Sequence, residues 1–219
     1  RVIQRHVNAG ELLEIDYLLQ SPDDRAGALG FGLAVEPPAP KRDFNQTVDL
    51  AKLQAAADAI LADEDRPPND ALTAQAEELL LIGTSMGGAR PKAVVEADEA
   101  LWVAKFNTTS DRWNNARVEH AMLQLAAACG LEVATSRVDT IGDRDVLLVK
   151  RFDRQRTANG YRRARMLSAL TLLRAGDSIR DRERWSYPLL AEELRRLSAR
   201  PAEDGAELFR RMTFNALIS

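Results

Sequence analysis

The sequence predicts an α+β fold in which an antiparallel sheet with a packed helix leads into a helical segment. Two observations predict this fold. Between residues 92 and 152 two apolar hairpins flank one amphipathic helix, whereas beyond residue 156 the apolar residues recur mostly at helical spacing. The composition, 45% hydrophobic and 29% charged, is that of a globular protein with a core.

The composition also limits the classes of function. A net charge of −3 excludes a strong overall attraction to nucleic acid, and no stretch approaches the roughly 20 apolar residues of a membrane span. Cys129 is the only cysteine, which excludes an internal disulfide and favours a reducing, cytoplasmic location. Its apolar surroundings predict that Cys129 is buried. The first residue is not Met and the last residues are apolar, so we expect both ends to continue in a longer protein.

Before residue 90 the sequence predicts a mostly irregular start followed by two helices. Residues 1–40 are predicted to be irregular, with a turn and a short strand at 23–32. Apolar residues at helical spacing predict helices over 47–63 and 70–81. We place a remnant of an N-terminal subdomain and a linker in residues 1–70.

From residue 92 onward the predicted elements are regular. The first hairpin is followed by a helix that ends at Gly130, and the second hairpin turns at Gly142-Asp143. These elements make up a predicted domain over 71–155, and a helical region follows over 156–219. The predicted bounds are 92–97 and 101–106 for the first hairpin, 114–128 for the helix, 136–141 and 146–152 for the second hairpin, and 167–173, 187–197 and 206–218 for the last helices.

A glycine-rich loop precedes the first hairpin. Gly87 and Gly88, followed by Ala89, let the backbone approach a ligand closely, because glycine has no Cβ, and Arg90 and Lys92 add positive charge. Together they predict a phosphate-binding loop. The loop lacks the Gly-Lys-Ser/Thr of a Walker A motif. The alternative is a tight structural entry into the hairpin.

Lys105 lies in an otherwise apolar strand, and Glu119 lies on the helix that follows. Protein kinases use a strand lysine to hold ATP phosphates and pair it with a helix glutamate. The order of loop, lysine and glutamate favours that reading, with Glu119 as the possible partner of Lys105. The alternative is two side chains that simply face water.

The second hairpin ends in Lys150, Arg151 and Phe152. In a two-lobed kinase the strand that leaves the small lobe contacts adenine through its backbone, and an aromatic residue packs on the base. One interpretation is therefore that this strand end is the hinge of such a kinase. The alternative is a strand end whose charged residues face solvent.

Three segments together resemble the HipA-like serine/threonine kinases, which are toxins of bacterial toxin–antitoxin pairs. The segments are TSMGGARPKA at 84–93, WVAKF at 102–106 and LVKRFDR at 148–154. The resemblance covers roughly residues 80–219. It implies a kinase small lobe that leads into a truncated helical large lobe, with ATP and Mg²⁺ as cofactors.

The resemblance also implies roles and partners. It implies that Lys150, Arg151 and Phe152 line an adenine pocket. Ser85 matches a serine that family members phosphorylate in themselves, which ejects the loop and inactivates the kinase; Thr84 is a rival site. The family's catalytic loop is not found in the chain and is expected just beyond Ser219. The implied partners are a helix-turn-helix antitoxin, DNA through that antitoxin, and a translation-related substrate such as an aminoacyl-tRNA synthetase.

Two other functions remain open. The chain could be a non-catalytic ATP-binding or antitoxin-docking module of a split or degenerate kinase, or part of a ligase or small-molecule kinase with a similar strand lysine. The two histidines, His6 and His120, are too far apart in sequence to predict a metal site. Residues 111–115 have the types found in a catalytic loop, but their position predicts a helix cap.

Overall fold

A computed structural model describes residues 12–20, 25–36, 45–46, 50–62 and 90–218. The described part is α+β, as the sequence predicts. The chain divides into two compact units, one of residues 1–123 and 134–165 and another of residues 124–133 and 166–219. In chain order the elements are α1 Glu14–Gln20, β1 Asn45–Gln46, α2 Leu50–Ala62, β2 Lys92–Ala97, β3 Ala100–Phe106, α3 Asn115–Ala128, β4 Ser136–Ile141, β5 Arg144–Lys150, β6 Arg154–Thr157, β7 Gly160–Arg163, α4 Ala169–Leu172, a 3₁₀ helix Ile179–Arg184, α5 Tyr187–Leu197 and α6 Pro201–Ile218.

The first unit is built on a five-stranded sheet with the order β1-β2-β3-β5-β4. Strand β1 is parallel to β2, and the other neighbours are antiparallel. The β2–β3 connection has only two residues, Asp98 and Glu99, with φ values of 50° and 55°. Positive φ at both central positions is the requirement of a type I′ turn, whose twist suits a hairpin. Both predicted hairpins are confirmed, with strand ends shifted by one or two residues.

The two faces of this sheet have different roles because side chains alternate along each strand. One face carries Trp102, Ala104, Phe106 and Leu148, which are buried in a cluster with Leu53 of α2. The predicted helix over 47–63 is confirmed as α2. The opposite face carries the other set of alternate residues, among them Lys92, Val103, Lys105 and Leu147.

Helix α3 begins and ends at capping residues. The side chain of Asn114 accepts a hydrogen bond of 3.1 Å from the N–H of Arg117, which satisfies a free donor of the first turn. At the other end Gly130 has φ 77°, and the N–H of Leu131 donates to the carbonyl of Ala126 at 3.0 Å. This is a Schellman ending, in which glycine takes the left-handed position. Both predictions, the cap and the stop at Gly130, are confirmed.

A second, two-stranded sheet was not predicted. Strands β6 and β7 pair from Arg154↔Arg163 to Thr157↔Gly160. Their sequences, RQRT and GYRR, lack the apolar alternation that predicts a strand. The sequence analysis therefore missed this hairpin.

The second unit contains the later helices, and serines begin two of them. Ser168 caps α4 and Ser186 caps α5 through their side-chain oxygens. Helix α5 has the predicted bounds, whereas α6 begins five residues before its predicted start because Pro201 can occupy the first turn of a helix. No helix in the described residues is long and apolar enough to cross a membrane.

Two predictions are wrong and one lies outside the described residues. The described part of segment 23–32 forms bends and no strand. Cys129 is exposed rather than buried, because it follows the last turn of α3. The helix predicted over 70–81 falls on residues that the structure does not describe.

Candidate functional site

The candidate site is centred on an ion pair between a strand and a helix. The Nζ atom of Lys105 on β3 lies 2.5 Å from Oε1 of Glu119 on α3. The two side chains keep 34% and 44% of their exposure, so the pair remains accessible to a ligand. The structure thus brings together the lysine and the glutamate that the sequence analysis singled out.

A second lysine stands beside this pair. Lys92 of β2 is the direct cross-strand partner of Lys105 in the antiparallel register, so both side chains lie on the same face. Burial lowers the pKa of Lys92, and the neighbouring charges of Lys105 and Arg90 lower it further, while Glu119 opposes them. A lysine with these neighbours is favourably placed to meet an anion.

Arg90 is the third cation of this group, and its position is set by Asp111. The guanidinium of Arg90 forms an ion pair with the carboxylate of Asp111, which also accepts a hydrogen bond of 2.7 Å from the N–H of Thr108. The bond from Arg90 is the main reason why the pKa of Asp111 falls to about 2. Asp111 therefore stays ionised at neutral pH and holds Arg90 next to the two lysines.

The helix that carries Glu119 is anchored at its first turn. Asn107, two residues after Lys105, accepts a hydrogen bond of 3.1 Å from the N–H of Ala116. Asp145 of β5 accepts bonds from Asn114 at 2.6 Å and Arg117 at 2.5 Å. These contacts fix the helix against the strands and hence Glu119 against Lys105. The sequence analysis missed them because they join residues far apart in the chain.

Asp145 is held in its charged form by these donors. The bond from Arg117 is the largest cause, and bonds from Thr140 and Asn114 add to it, so that the pKa of Asp145 falls to about 2. The residue is buried, with 6% of its surface exposed. A buried carboxylate needs such partners, because its burial alone would favour the neutral form.

The three residues of the strand end predicted to line an adenine pocket differ in where their side chains lie. Lys150 pairs with Trp102, whereas Lys105 pairs with Leu147, so the side chain of Lys150 lies on the opposite face of the sheet from Lys105. The side chain of Lys150 therefore does not fit the predicted role, and its backbone N–H already donates to the carbonyl of Thr135 at 2.8 Å.

Arg151 also departs from the expectation. Its side chain is buried and bonded to Asp153 at 2.9 and 2.8 Å, so we assign it to a structural cluster and not to a pocket lining. Phe152, in contrast, is 77% exposed and available to pack on a ligand.

The comparisons with known proteins decide the family. A model of the HipA-like C-terminal domain matches residues 84–219, which is more than half of the chain. The chain belongs to this family. No curated protein matches the sequence.

A solved structure resembles the HipA-like chain over nearly all of its length. It is HipA of Shewanella oneidensis MR-1 from a complex with HipB and operator DNA, at 16% sequence identity and a TM-score of 0.62. The match covers 98% of this chain and 53% of the Shewanella protein, so the chain spans about half the length of that relative. At this identity the likeness establishes the fold.

The HipA-like domain has side chains that fit a polyphosphate. Arg90, Lys92 and Lys105 present three cations close together, and guanidinium and ammonium groups are the usual protein ligands of phosphate. In the part of the chain that the structure describes, no group of three His, Cys, Asp or Glu residues could hold a metal ion. We therefore assign no magnesium ligand among these described residues.

Part of the predicted loop of the HipA-like domain lies outside the described residues. This concerns Gly87, Gly88, Ala89 and the two hydroxyl residues Thr84 and Ser85. Their roles remain predictions. The first described residue after them is Arg90, at the start of the cation group.

Proposed function

We propose that the intact protein is an ATP-dependent serine/threonine protein kinase, the toxin of a toxin–antitoxin pair, and that this chain supplies most of its nucleotide-binding part. The observation that carries the proposal is the 2.5 Å ion pair between Lys105 and Glu119. In kinases a strand lysine held by a helix glutamate binds the phosphates of ATP.

Each residue has a physical role in this proposal. Lys105, Lys92 and Arg90 neutralise the charge of the phosphates, and the backbone N–H groups of residues 87–89 donate to phosphate oxygens. Glu119 keeps the Lys105 ammonium in one orientation. Phe152 contacts the adenine, together with backbone groups of residues 150–152 other than the bonded N–H groups of Lys150 and Arg151. Bound ATP would supply the phosphoryl group that is transferred. Mg²⁺ would accompany the ATP, and we assign no ligand of this ion among the described residues.

The partners follow from the family. The Shewanella relative was solved with HipB and operator DNA, so we propose a helix-turn-helix antitoxin as a partner and DNA as an indirect one. The protein substrate belongs to translation in this proposal, for example an aminoacyl-tRNA synthetase. Phosphorylation of Ser85 would place about two negative charges in the loop that binds phosphates and inactivate the kinase. The proposed location is the cytoplasm.

The experiment that tests the proposal compares two lysine variants of the full-length protein. Lys105→Ala should weaken ATP binding about 10- to 100-fold, since a hydrogen bond between charged groups contributes about 1.5–3 kcal/mol. Lys52→Ala is the matched control, because Lys52 is exposed on α2. Calorimetry gives the affinities, and thermal unfolding without nucleotide checks that both variants fold.

The outcomes separate kinase from binding module. ATP binding that depends on Lys105, together with phosphate transfer to protein, supports the kinase. Binding that depends on Lys105 with no transfer to any protein supports the non-catalytic module instead. Equal ATP affinity in wild type and Lys105→Ala contradicts the phosphate role.

A further inference from the structure

Asp153 is a buried carboxylate shared by two arginines. Its side chain is 4% exposed, and those of Arg151 and Arg154 are 1% and 2% exposed. Arg151 donates to both carboxylate oxygens at 2.9 and 2.8 Å, and Arg154 donates to Oδ2 at 2.7 Å. Burying charge is costly unless it is paired and hydrogen-bonded, and here both carboxylate oxygens have donors.

The cluster binds the backbone of an early segment of the chain. The N–H of Gly27 donates to Asp153 at 2.9 Å. Arg154 donates to the carbonyls of Gly27 at 3.0 Å and Arg25 at 2.5 Å, and Arg151 donates to the carbonyl of Arg25 at 3.1 Å. Because the contacts go to backbone atoms, they fix the path of the chain rather than one side chain. We call residues 25–29 the strap.

The pKa of Asp153 agrees with a permanently charged cluster. Burial alone raises this pKa, but the hydrogen bonds from Arg151 and Gly27 and the two guanidinium charges lower it by more, so that it lies below its ordinary value. The carboxylate is therefore ionised at neutral pH, and all its donors stay bonded.

Two residues of the cluster are the sequence neighbours of the residue proposed to contact adenine. Phe152 lies between Arg151 and Asp153 in sequence, and the N–H of Arg151 donates to the carbonyl of Leu101 at 2.8 Å. The side chain of Phe152 is 77% exposed, so packing holds little of it in place. Its position depends on the two neighbours, one fixed to β3 and both fixed to the strap.

We infer that Asp153 is a positioning residue of the nucleotide site, which uses the strap to hold the strand end at residues 150–152 in the conformation that contacts the base. The inference rests on the proposed function. It predicts that the early segment of the chain controls affinity for the base of the nucleotide and leaves affinity for the phosphates unchanged.

The test measures the affinity of the full-length protein for two ligands, ATP and inorganic tripolyphosphate. Asp153→Asn should weaken ATP binding about 10-fold, the size expected for loss of one stacking contact with a base, while the affinity for inorganic tripolyphosphate stays that of wild type. Asp58→Asn is the matched control, because Asp58 also forms a two-pronged ion pair, with Arg144. It should leave both affinities unchanged.

A second variant tests the strap without touching the buried charges. Gly27→Pro removes the N–H that donates to Asp153, and proline cannot adopt the φ of 79° found there. It should also weaken ATP binding and leave tripolyphosphate binding unchanged. If Asp153→Asn does not fold, this variant carries the test.

The outcomes distinguish the inference from the proposed function. A wild-type protein that binds neither ATP nor tripolyphosphate refutes the proposed function and the inference with it. If the wild type binds ATP, the inference is overturned when the strap and Asp153 variants bind ATP as wild type does, or lose both ligands equally. Selective loss of ATP supports it.

Discussion

Lys92 and Lys105 face each other directly across the antiparallel strands β2 and β3. Like charges in this arrangement destabilise a sheet by about 0.2–1 kcal/mol. The lowered pKa of Lys92 has burial as its first cause and Lys105 as its second. A bound polyanion would relieve the repulsion, so under the proposed function the arrangement would exchange a little stability for affinity.

The first prediction concerns pH. Because the pKa of Lys92 is lowered in the free protein and phosphates favour its charged form, ATP binding should take up protons, and affinity should fall as alkaline pH rises through that pKa. Calorimetry in buffers of different ionisation enthalpy measures the uptake. Lys92→Met should remove it, weaken ATP binding and raise the free energy of unfolding slightly, whereas Lys52→Met should change none of these. An affinity that does not change as the pH is raised into the alkaline range would contradict the role of Lys92.

Glu119 gives the second prediction. Glu119→Gln should lower the turnover of phosphate transfer about 10- to 100-fold through misplacement of Lys105, and should change stability by less than about 1 kcal/mol because the pair is partly exposed. Single-turnover kinetics and denaturant unfolding measure the two quantities. Glu203→Gln on α6, which breaks an exposed pair with Arg200 just before that helix, is the control. Unchanged turnover would show that Glu119 does not orient Lys105.

The third prediction concerns acid stability. The folded pKa of Asp145, about 2, lies below the ordinary value, so its contribution to stability is present above pH about 4 and is lost as pH falls towards 2. Asp145→Asn should destabilise the protein at pH 7, and the difference from wild type should shrink over that acid range. Urea unfolding at several pH values measures it. Asp143→Asn, in an exposed turn, is the control variant; a loss of stability at pH 7 as large as that of Asp145→Asn would refute the assignment.

Two glycines provide a matched pair for the fourth prediction. Gly130→Ala should destabilise by about 1 kcal/mol, because φ there is 77° and side chains disfavour that conformation. Gly205→Ala should stabilise by about 0.5–1 kcal/mol, since this position is inside helix α6 and an added Cβ meets no atom within 4 Å. Thermal unfolding measures both. The same sign for both changes would contradict the Schellman ending.

Ser85 gives the fifth prediction. In the full-length protein with labelled ATP, Ser85→Ala should abolish phosphate incorporation into the loop, because this hydroxyl is the proposed acceptor. Peptide mapping locates the label. Thr84→Ala is the paired control and should leave it in place. A label that persists in Ser85→Ala and disappears in Thr84→Ala would move the site by one residue.

The parts that were predictable from sequence are local ones. Apolar alternation identified β2 to β5, and capping residues such as Asn114 and Gly130 identified the ends of α3. The order of Lys105 and Glu119 suggested a pair that the structure brings to 2.5 Å. These signals reside in short stretches of chain, where spacing determines which face a residue occupies.

The rest depends on long-range contacts. Asp153 accepts a hydrogen bond from Gly27, which lies 126 residues earlier in the sequence. No local sequence pattern predicts a contact over that separation. The face of Lys150 follows from its register with Trp102, which strand alternation alone does not give. Strands β6 and β7 pair through polar sequences that resemble a solvated loop.

The exposed position of Cys129 has a practical consequence. It is the only thiol of the chain, and it directly follows α3, the helix that carries Glu119. A maleimide dye would therefore label this chain at a single place, three turns from the ion pair. Its fluorescence could report in real time whether nucleotide displaces the helix, with no engineered cysteine required.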